Sequence, residues 1–394
     1  MLTSLALIFL IGMTLGWIFE SLHLPRLIGM LLTGIVLGPF ALNLLSGSIL
    51  GISADLRQLA LIVILIKAGL SLNIEDLKKV GRPAILMSFL PAVFEIGAIV
   101  ILGPPLLGIT LLEAAIMGAV LGAVSPAVVV PKMVSLMEGG YGTKKSIPQL
   151  ILAGASLDDV FVIVLFTAFV GIEQGSGVSA LNFAEIPISI ALGLFLGVLV
   201  GLLFAKVCGV HHMRDSSKVI LLLGTAFLLV AVETWLKGVL PLSGLLAVMS
   251  MAITIQKKRS AVARRLSVKF SKLWIAAEVI LFVLVGAAVD IRYAAAAGFP
   301  VVVIILAALV FRSAGVFLCL CRTPLNLKEK FFCVISYLPK ATVQAAIGSV
   351  PLALGLPCGQ LVLTVAVVSI LITAPLGALG MEWSYRKLLT RDHF

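Results

Sequence analysis

Long apolar runs separated by short polar segments repeat along the whole chain. Most runs are close to the ~20 residues that a helix needs to cross a bilayer. This pattern predicts an all-α polytopic membrane protein with about thirteen transmembrane helices. The predicted spans cover residues 2–19, 24–40, 57–73, 83–103, 110–133, 147–172, 183–208, 217–236, 240–256, 270–290, 296–320, 329–352 and 360–382.

Composition excludes a water-soluble protein. Hydrophobic residues make up 61% of the 394 residues and charged residues only 12%, whereas a soluble domain carries about 25% charged residues. So much apolar surface cannot be hidden in a water-soluble core. The first run, residues 2–19, lacks the basic start and the cleavage site of a signal peptide, so we expect it to be a span.

The positive charge follows the predicted spans. When residues at span ends are counted with the adjacent loop, loops after odd-numbered spans and the C-terminal tail hold 23 of the 29 Lys and Arg, while loops after even-numbered spans hold three. The positive-inside rule then predicts a multi-pass integral membrane protein with its N-terminus outside and its C-terminus in the cytoplasm. If the protein is bacterial, we expect it in the plasma or inner membrane. The net charge of +11 therefore does not indicate a nucleic-acid partner. The most basic loop, residues 257–272, is expected to touch anionic lipid, and His211 and His212 are either solvated or a pH sensor.

The two halves of the chain repeat in inverted orientation. Spans 1–6 match spans 8–13 with an odd offset of seven, so matching spans cross the membrane in opposite directions. Span 5 is interrupted at Ser125-Pro126 and span 12 at Leu338-Pro339, with related sequences after each proline. Proline removes a helix hydrogen bond and clashes with the preceding turn. Two inverted repeats with crossing broken helices are typical of a transporter site at mid-membrane.

Two adjacent carboxylates, Asp158 and Asp159, lie in the middle of span 6. They are ~17 Å into the span at ~1.5 Å per residue, which is about the middle of a ~30 Å apolar core. A charge there costs at least ~2.5–3.5 kcal/mol, so an intramembrane acid indicates a functional site. Neighbours on a helix point about 100° apart, so one acid can stay ionised beside a cation while the other exchanges protons. A carboxylate that takes either a proton or a cation such as Na⁺ makes the two compete, as coupled exchange requires.

Polar residues near the two breaks are candidates to support the acidic pair. Lys340 follows Pro339 and either offsets the negative C-terminal ends of the half-helices or pairs with a carboxylate. Ser125 offers a hydroxyl in the other break. We also place Ser156 and Thr342 among these supporting residues.

Other charged residues in spans are open to structural and functional interpretations. Span 4 carries Glu95, and span 11, which corresponds to it in the inverted repeat, carries Arg312. The two charges would neutralise each other, either as a stabilising pair or with a direct transport role. Glu278 in span 10 lines a cavity or a subunit interface. Lys67 is expected to extend toward the interface, and Glu113 to lie at the membrane surface.

The chain resembles the NHA branch of the cation/proton antiporter superfamily over most of its length. The matching segments are KAGLSLNIEDLKKVGRPA (67–84), LGAVSPAVVVPKM (121–133), GGYGTKKSIPQLILAGASLDD (139–159) and LPKATVQAAIG (338–348). The resemblance implies a thirteen-span antiporter, typically a homodimer, that exchanges Na⁺ or Li⁺ for H⁺ by an elevator-like movement. It also matches Asp159 to the ion- and proton-binding carboxylate and Asp158 to its partner.

The resemblance further implies one membrane transporter domain, residues 1–394, with distinct parts. These parts are a scaffold or dimerisation part (1–74 and 216–292), an ion-transport core (83–172 and 296–382) and a linker helix (183–208).

One position departs from the wider superfamily. Bacterial members carry a lysine where this chain has Arg312, and that lysine pairs with the first aspartate. Arginine does not deprotonate, so Arg312 cannot exchange protons. Because Glu95 is available to pair with Arg312, it is open whether Asp158 keeps a basic partner or whether Lys340 takes that place.

We therefore predict a secondary-active antiporter, not an enzyme, that exchanges Na⁺ or Li⁺ for H⁺ without a cofactor. Asp159 and Asp158 would be the ligands of the metal cation. K⁺/H⁺ antiport by the same fold is the alternative. A cation channel needs a pore lined by carbonyls or charged rings, and the sequence has no filter-like repeat. An intramembrane aspartyl protease needs two acids that share a proton across a gap, whereas adjacent residues on a helix face apart.

Overall fold

Nearly all of the described chain is α-helical, as the apolar runs predict. This computed structural model of the 394 residues describes residues 1–22, 24–71, 81–174, 180–210, 213–236, 240 and 242–391. The helices are α1 (Leu2–Ser21), α2 (Arg26–Leu37), α3 (Gly47–Gly51), α4 (Ser53–Ser71), α5 (Arg82–Met87), α6 (Leu90–Leu107), α7 (Leu111–Leu121), α8 (Pro126–Glu138), α9 (Ile147–Gln174), α10 (Ala180–Val210), α11 (Asp215–Leu236), α12 (Gly244–Lys258), α13 (Ser260–Ala287), α14 (Ile291–Cys319), α15 (Leu327–Ser336), α16 (Thr342–Gly348), α17 (Val350–Ala353) and α18 (Gly359–Leu388).

Each predicted span overlaps a helix or a broken helix in the described part of the chain. Nine helices in that part are long and apolar enough to cross a membrane, judged by length and composition. Helix α2 and the stretch Thr342–Ala353 are apolar but shorter. The all-α membrane fold is therefore confirmed, whereas the number of thirteen spans stays a prediction.

Both predicted breaks are present, and they touch. Residues 122–125 separate α7 from α8, and residues 337–341 separate α15 from α16. Pro126 occupies the first position of α8, where its missing N–H costs no helix hydrogen bond. The Ser125 N–H donates to the Pro339 carbonyl over 2.8 Å. The two interruptions therefore cross in direct contact, as the inverted repeat predicts.

Buried apolar side chains hold the broken helices against the helix that carries the acidic pair. Their cluster joins α8, α9, α14, α15 and α18. In a bilayer this packing acts through van der Waals contact, since lipid tails are as apolar as the side chains. The cluster includes Val129, Ile151, Val316, Phe332 and Met381.

The chain divides into two compact units. In the first, α6 packs against α7 and α14, and α15, α16 and α17 pack against α18. In the second, α10 packs closely along α12, where a Cβ at Gly201 would lie 2.8 Å from the Met251 carbonyl oxygen. The division into scaffold, core and linker parts stays a prediction. The first unit is Met1–Arg57, Glu75–Phe166 and Val279–Phe394, and the second is Gln58–Ile74 and Thr167–Glu278.

The structure also describes other charged residues that the sequence singles out. The Lys67 ammonium lies 6.0 Å from the centroid of the Trp274 ring. Glu113 forms a reciprocal cap with Thr110 at the start of α7, and this cap satisfies two backbone N–H groups. Glu278 is buried. His211 and His212 lie outside the described residues.

Candidate functional site

The first break leaves carbonyl groups at the C-terminal end of α7 without helix partners. Three buried side chains donate to the carbonyl oxygens of residues 121–123: Lys340 through Nζ, Arg312 through Nη1 and Gln344 through Nε2. The Gln344 bond to Ala123 is 2.8 Å long. Two of the three donors are cations, which the negative end of a helix favours.

Arg312 links the second break to two other helices. Its side chain is fully buried. Nε donates to the Tyr337 carbonyl over 2.7 Å, Nη1 to Glu95 Oε2 over 2.8 Å and Nη2 to Asp158 Oδ2 over 2.9 Å. A guanidinium can do this because it carries five donors in a rigid fork. Arg312 therefore contacts both Glu95 and Asp158, so the first aspartate has a basic partner.

Lys340 pairs with Glu95. Its Nζ lies 2.8 Å from Glu95 Oε1 and 2.9 Å from Oε2. Its backbone N–H donates to Thr373 Oγ1 over 3.0 Å. Two cations, Arg312 and Lys340, thus face two carboxylates, Glu95 and Asp158, and the four buried charges balance.

The Asp158 carboxylate accepts its hydrogen bonds through one of its two oxygens. Oδ2 accepts from the Val124 N–H over 2.8 Å and from Arg312. Oδ1 is buried and has no hydrogen-bond partner among the described residues. Val124 lies two residues before the first residue of α8, so this N–H belongs to the backbone of the break.

Asp159 differs from its neighbour. Only 7% of its surface is exposed, and its Oδ1 has no hydrogen-bond partner in the described part of the chain. Within the same part, no lysine or arginine nitrogen forms an ion pair with it. Asp159 is therefore a buried acid beside a charge-balanced cluster and outside its ion pairs.

Two of the other three predicted supporting residues, Ser125 and Thr342, lie at the breaks. Ser125 is fully buried, and its hydroxyl has no hydrogen-bond partner among the described residues. Thr342 begins α16 and is 3% exposed. Ser156 belongs to α9, but its side chain lies outside the described part of the structure.

Sequence reasoning missed Gln344 and Thr373. Both are buried and uncharged, and each satisfies a backbone group in the second break. Gln344 stands in the quoted segment LPKATVQAAIG, where a long amide in an apolar run is a signal in itself. Buried side-chain amides are almost always hydrogen-bonded, so such a residue is a candidate to bind the freed backbone of a break.

Gly154→Ala is expected to destabilise the protein by about 1–3 kcal/mol, the usual cost of overpacking. Gly154 lies on α9, one turn before Asp158. A Cβ there would overlap the Tyr337 hydroxyl oxygen and lie 2.9 Å from Met87 Cβ. Thermal unfolding in detergent measures the change.

Two further variants test whether the predicted clash causes the loss of stability. Gly171→Ala in the same helix is the control, since a Cβ there meets nothing within 4 Å. Adding Tyr337→Phe removes the clashing oxygen and leaves the ring carbon Cζ 3.3 Å from the new Cβ. The double variant should therefore recover part of the lost stability. Equal stability of Gly154→Ala and Gly171→Ala would contradict the predicted clash.

Comparison with known proteins decides the family. A family model described as "Sodium/hydrogen exchanger, transmembrane" matches residues 5–384. The chain belongs to the sodium/hydrogen exchanger family. This exchanger is 36% identical over 382 residues to sodium/hydrogen exchanger 9B2 of Mus musculus, covering 90% of this chain and 67% of the relative. It is 34% identical over 387 residues to sodium/hydrogen exchanger 9B1 of Homo sapiens, covering 94% and 73%.

A solved structure shares the fold of this exchanger. The sodium proton antiporter MjNhaP1 from Methanocaldococcus jannaschii matches with a TM-score of 0.84, covering 98% of each chain at 20% identity. The resemblance to cation/proton antiporters is thus confirmed. The exchanger is a multi-pass integral membrane protein that carries out cation/proton antiport, and its family is one of transporters and not of enzymes.

Proposed function

We propose that this exchanger moves Na⁺ or Li⁺ against H⁺ by alternating access. The cation and the proton would share the Asp159 carboxylate, with Asp158 as a second ligand. The observation that carries this proposal is the contrast between the buried acids. Glu95 and Asp158 are paired with Lys340 and Arg312, whereas Asp159 is outside these ion pairs in the described part of the chain.

A single shared carboxylate is sufficient for coupled exchange. An ionised acid is costly in a low-dielectric interior, and either a bound proton or a bound monovalent cation removes its charge. The two cannot occupy the same oxygen together, so one must leave before the other binds. A core that changes its exposure only when the acid is neutralised would therefore exchange one for the other.

The neighbouring charges have supporting roles in this proposal. Arg312 and Lys340 hold fixed positive charge at the ends of the half-helices. Glu95 bridges these two cations and braces the core. Ser125 and Thr342 would complete the surroundings of the breaks, and Ser156 stays a predicted supporting residue.

The arrangement in the membrane follows the sequence prediction. We place the N-terminus outside and the C-terminus in the cytoplasm, with the basic loop 257–272 against anionic lipid. Two copies would form a homodimer through the scaffold part, and the core would move past it. The scaffold comprises residues 1–74 and 216–292, the core 83–172 and 296–382, and the linker helix 183–208.

Proton flux in sealed liposomes tests the choice of ion. The purified protein is reconstituted with a trapped pH dye, a pH gradient is imposed, and Na⁺, Li⁺, K⁺ or choline is added in turn. We expect Na⁺ and Li⁺ to dissipate the gradient promptly. Choline and protein-free vesicles are the controls, and neither should respond.

Each other result changes the proposal in a defined way. A response to K⁺ alone would keep antiport and replace the substrate, since selectivity among such ions depends on ligand number and cavity size. Cation flux driven by membrane potential without proton movement would indicate a channel. Absence of any cation response in folded, sealed preparations across the neutral pH range would contradict the proposal.

A further inference from the structure

Gln344 lies between the two breaks and makes hydrogen bonds to both. Its side chain is fully buried in the first turn of α16. Oε1 accepts from the Ala341 N–H over 2.8 Å, and Nε2 donates to the Ala123 carbonyl over 2.8 Å and, more weakly, to the Leu121 carbonyl over 3.4 Å. These partners require an acceptor at one end of the side chain and a donor at the other, which an amide group provides. The orientation of the amide is therefore fixed.

The carbonyl that Gln344 binds belongs to the peptide group that also binds Asp158. The Ala123 C=O and the Val124 N–H are the two sides of one peptide bond, and the N–H donates to Asp158 Oδ2 over 2.8 Å. Because a peptide group is planar and stiff, holding its carbonyl also sets the direction of its N–H. Hydrogen bonds in such a chain polarise one another as well.

This chain of hydrogen bonds acts on the orientation of the Asp158 carboxylate. Oδ2 is held by the Val124 N–H on one side and by Arg312 on the other, while Oδ1 has no partner among the described residues. Any shift of the peptide would turn the carboxylate and move Oδ1. Small differences in ligand position and number decide which hard cation a site prefers.

We propose that Gln344 is a positioning residue for ion selectivity. Through the Ala123–Val124 peptide it fixes the orientation of Asp158, and it thereby sets the preference of the site between Li⁺ and Na⁺. The proposal rests on the proposed function, which places the cation at Asp158 and Asp159. The rival role is structural, with Gln344 only tying the two broken helices together.

Gln344→Leu separates these roles, since leucine is of similar volume and makes none of the three side-chain hydrogen bonds. We expect the ratio of the half-maximal Li⁺ and Na⁺ concentrations to change about fivefold, the factor that corresponds to one net hydrogen bond. A structural role would lower the yield of folded protein or the maximal rate and leave the ratio unchanged. Ser369→Ala is the matched control because this buried hydroxyl donates to the Ala366 carbonyl of its own helix over 2.7 Å.

Gln344→Glu gives a second, pH-dependent readout. When protonated, the new carboxyl can accept from Ala341 and donate to Ala123 as the amide does, but when ionised it can only accept. The change in the Li⁺/Na⁺ ratio should therefore grow as the pH rises in this variant and stay constant in Gln344→Leu. The charged groups that bind the same region are Lys340 at the Leu121 carbonyl, Arg312 at the Gly122 carbonyl, Asp158 at the Val124 N–H, and Glu95 between the two cations.

When a variant transports too slowly, the Li⁺/Na⁺ ratio is taken from thermal unfolding in detergent, as the ratio of the Li⁺ and Na⁺ concentrations that give half-maximal stabilisation. An altered ratio in Gln344→Leu with a wild-type ratio in Ser369→Ala supports the proposal, and an unchanged ratio in both overturns it. Asp159→Asn is measured in parallel. If Asp159→Asn is inactive and Gln344→Leu keeps the wild-type ratio, the positioning role alone is wrong. If Asp159→Asn still transports, the proposed function is wrong in its placement of the ion site at Asp159.

Discussion

Asp159→Asn is expected to lower cation-dependent proton flux to the level of protein-free liposomes. Asparagine keeps the shape of the side chain but carries no negative charge and takes up no proton at neutral pH. Neither ion that the site is proposed to share would then be held. The variant should fold normally, because Asp159 makes no ion pair within the described chain that the substitution would break.

The same variant should lose the thermal stabilisation that Na⁺ or Li⁺ gives the wild type. This follows because a ligand raises the melting temperature only when it binds the folded state. Glu20→Gln is the matched control, since it makes the same chemical change at an exposed acid of α1. Undiminished flux in Asp159→Asn would move the essential site elsewhere, and Glu278 and Glu95 would be the next acids to test.

Arg312→Met is expected to cost about 3–5 kcal/mol of folding free energy, the usual result of breaking a buried ion pair from one side. Methionine fills part of the space but leaves Asp158 without its cation and two backbone carbonyls without their donor. Glu95 keeps Lys340 as a partner. Unfolding in detergent, followed with and without Na⁺, measures the loss.

A double variant distinguishes the charge effect from lost packing. Arg312→Met combined with Asp158→Asn removes one cation and one acid and leaves the Lys340–Glu95 pair intact. The double variant should be less destabilised than the sum of the single variants, as expected for groups in direct contact. Arg292→Met at an exposed arginine is the control. Additive losses would indicate that Arg312 acts through packing and not through its charge.

The sequence was sufficient to predict the positions of both breaks. Pro126 and Pro339 each remove a backbone donor, and the inverted repeat places them at matching positions. The acidic pair could also be found because charge at mid-membrane is costly. The prediction of the breaks succeeds because a proline marks each of them locally, whereas the role of the acidic pair stays a prediction.

The partners of Arg312 could not be predicted in the same way. The repeat indicates Glu95 as a partner of Arg312. The contact with Asp158, however, requires that the Arg312 guanidinium lie within hydrogen-bond distance of both acids. This distance depends on how the helices that carry Arg312 and Asp158 pack, and the two residues are 154 positions apart in the chain. Gln344 was missed for a different reason. It carries no charge, and the backbone groups that it binds become free only because of breaks in two separate helices.

The crossing also limits how this protein can be recombined with its relatives. The backbone of the two breaks is bound by side chains that come from outside them, from α9, α14, α16 and α18. A chimera that exchanges only one broken helix would bring in a new backbone conformation without the groups that fit it. The smallest segment set that can be transplanted as a whole is therefore both broken helices together with the helices that carry Asp158, Arg312 and Thr373.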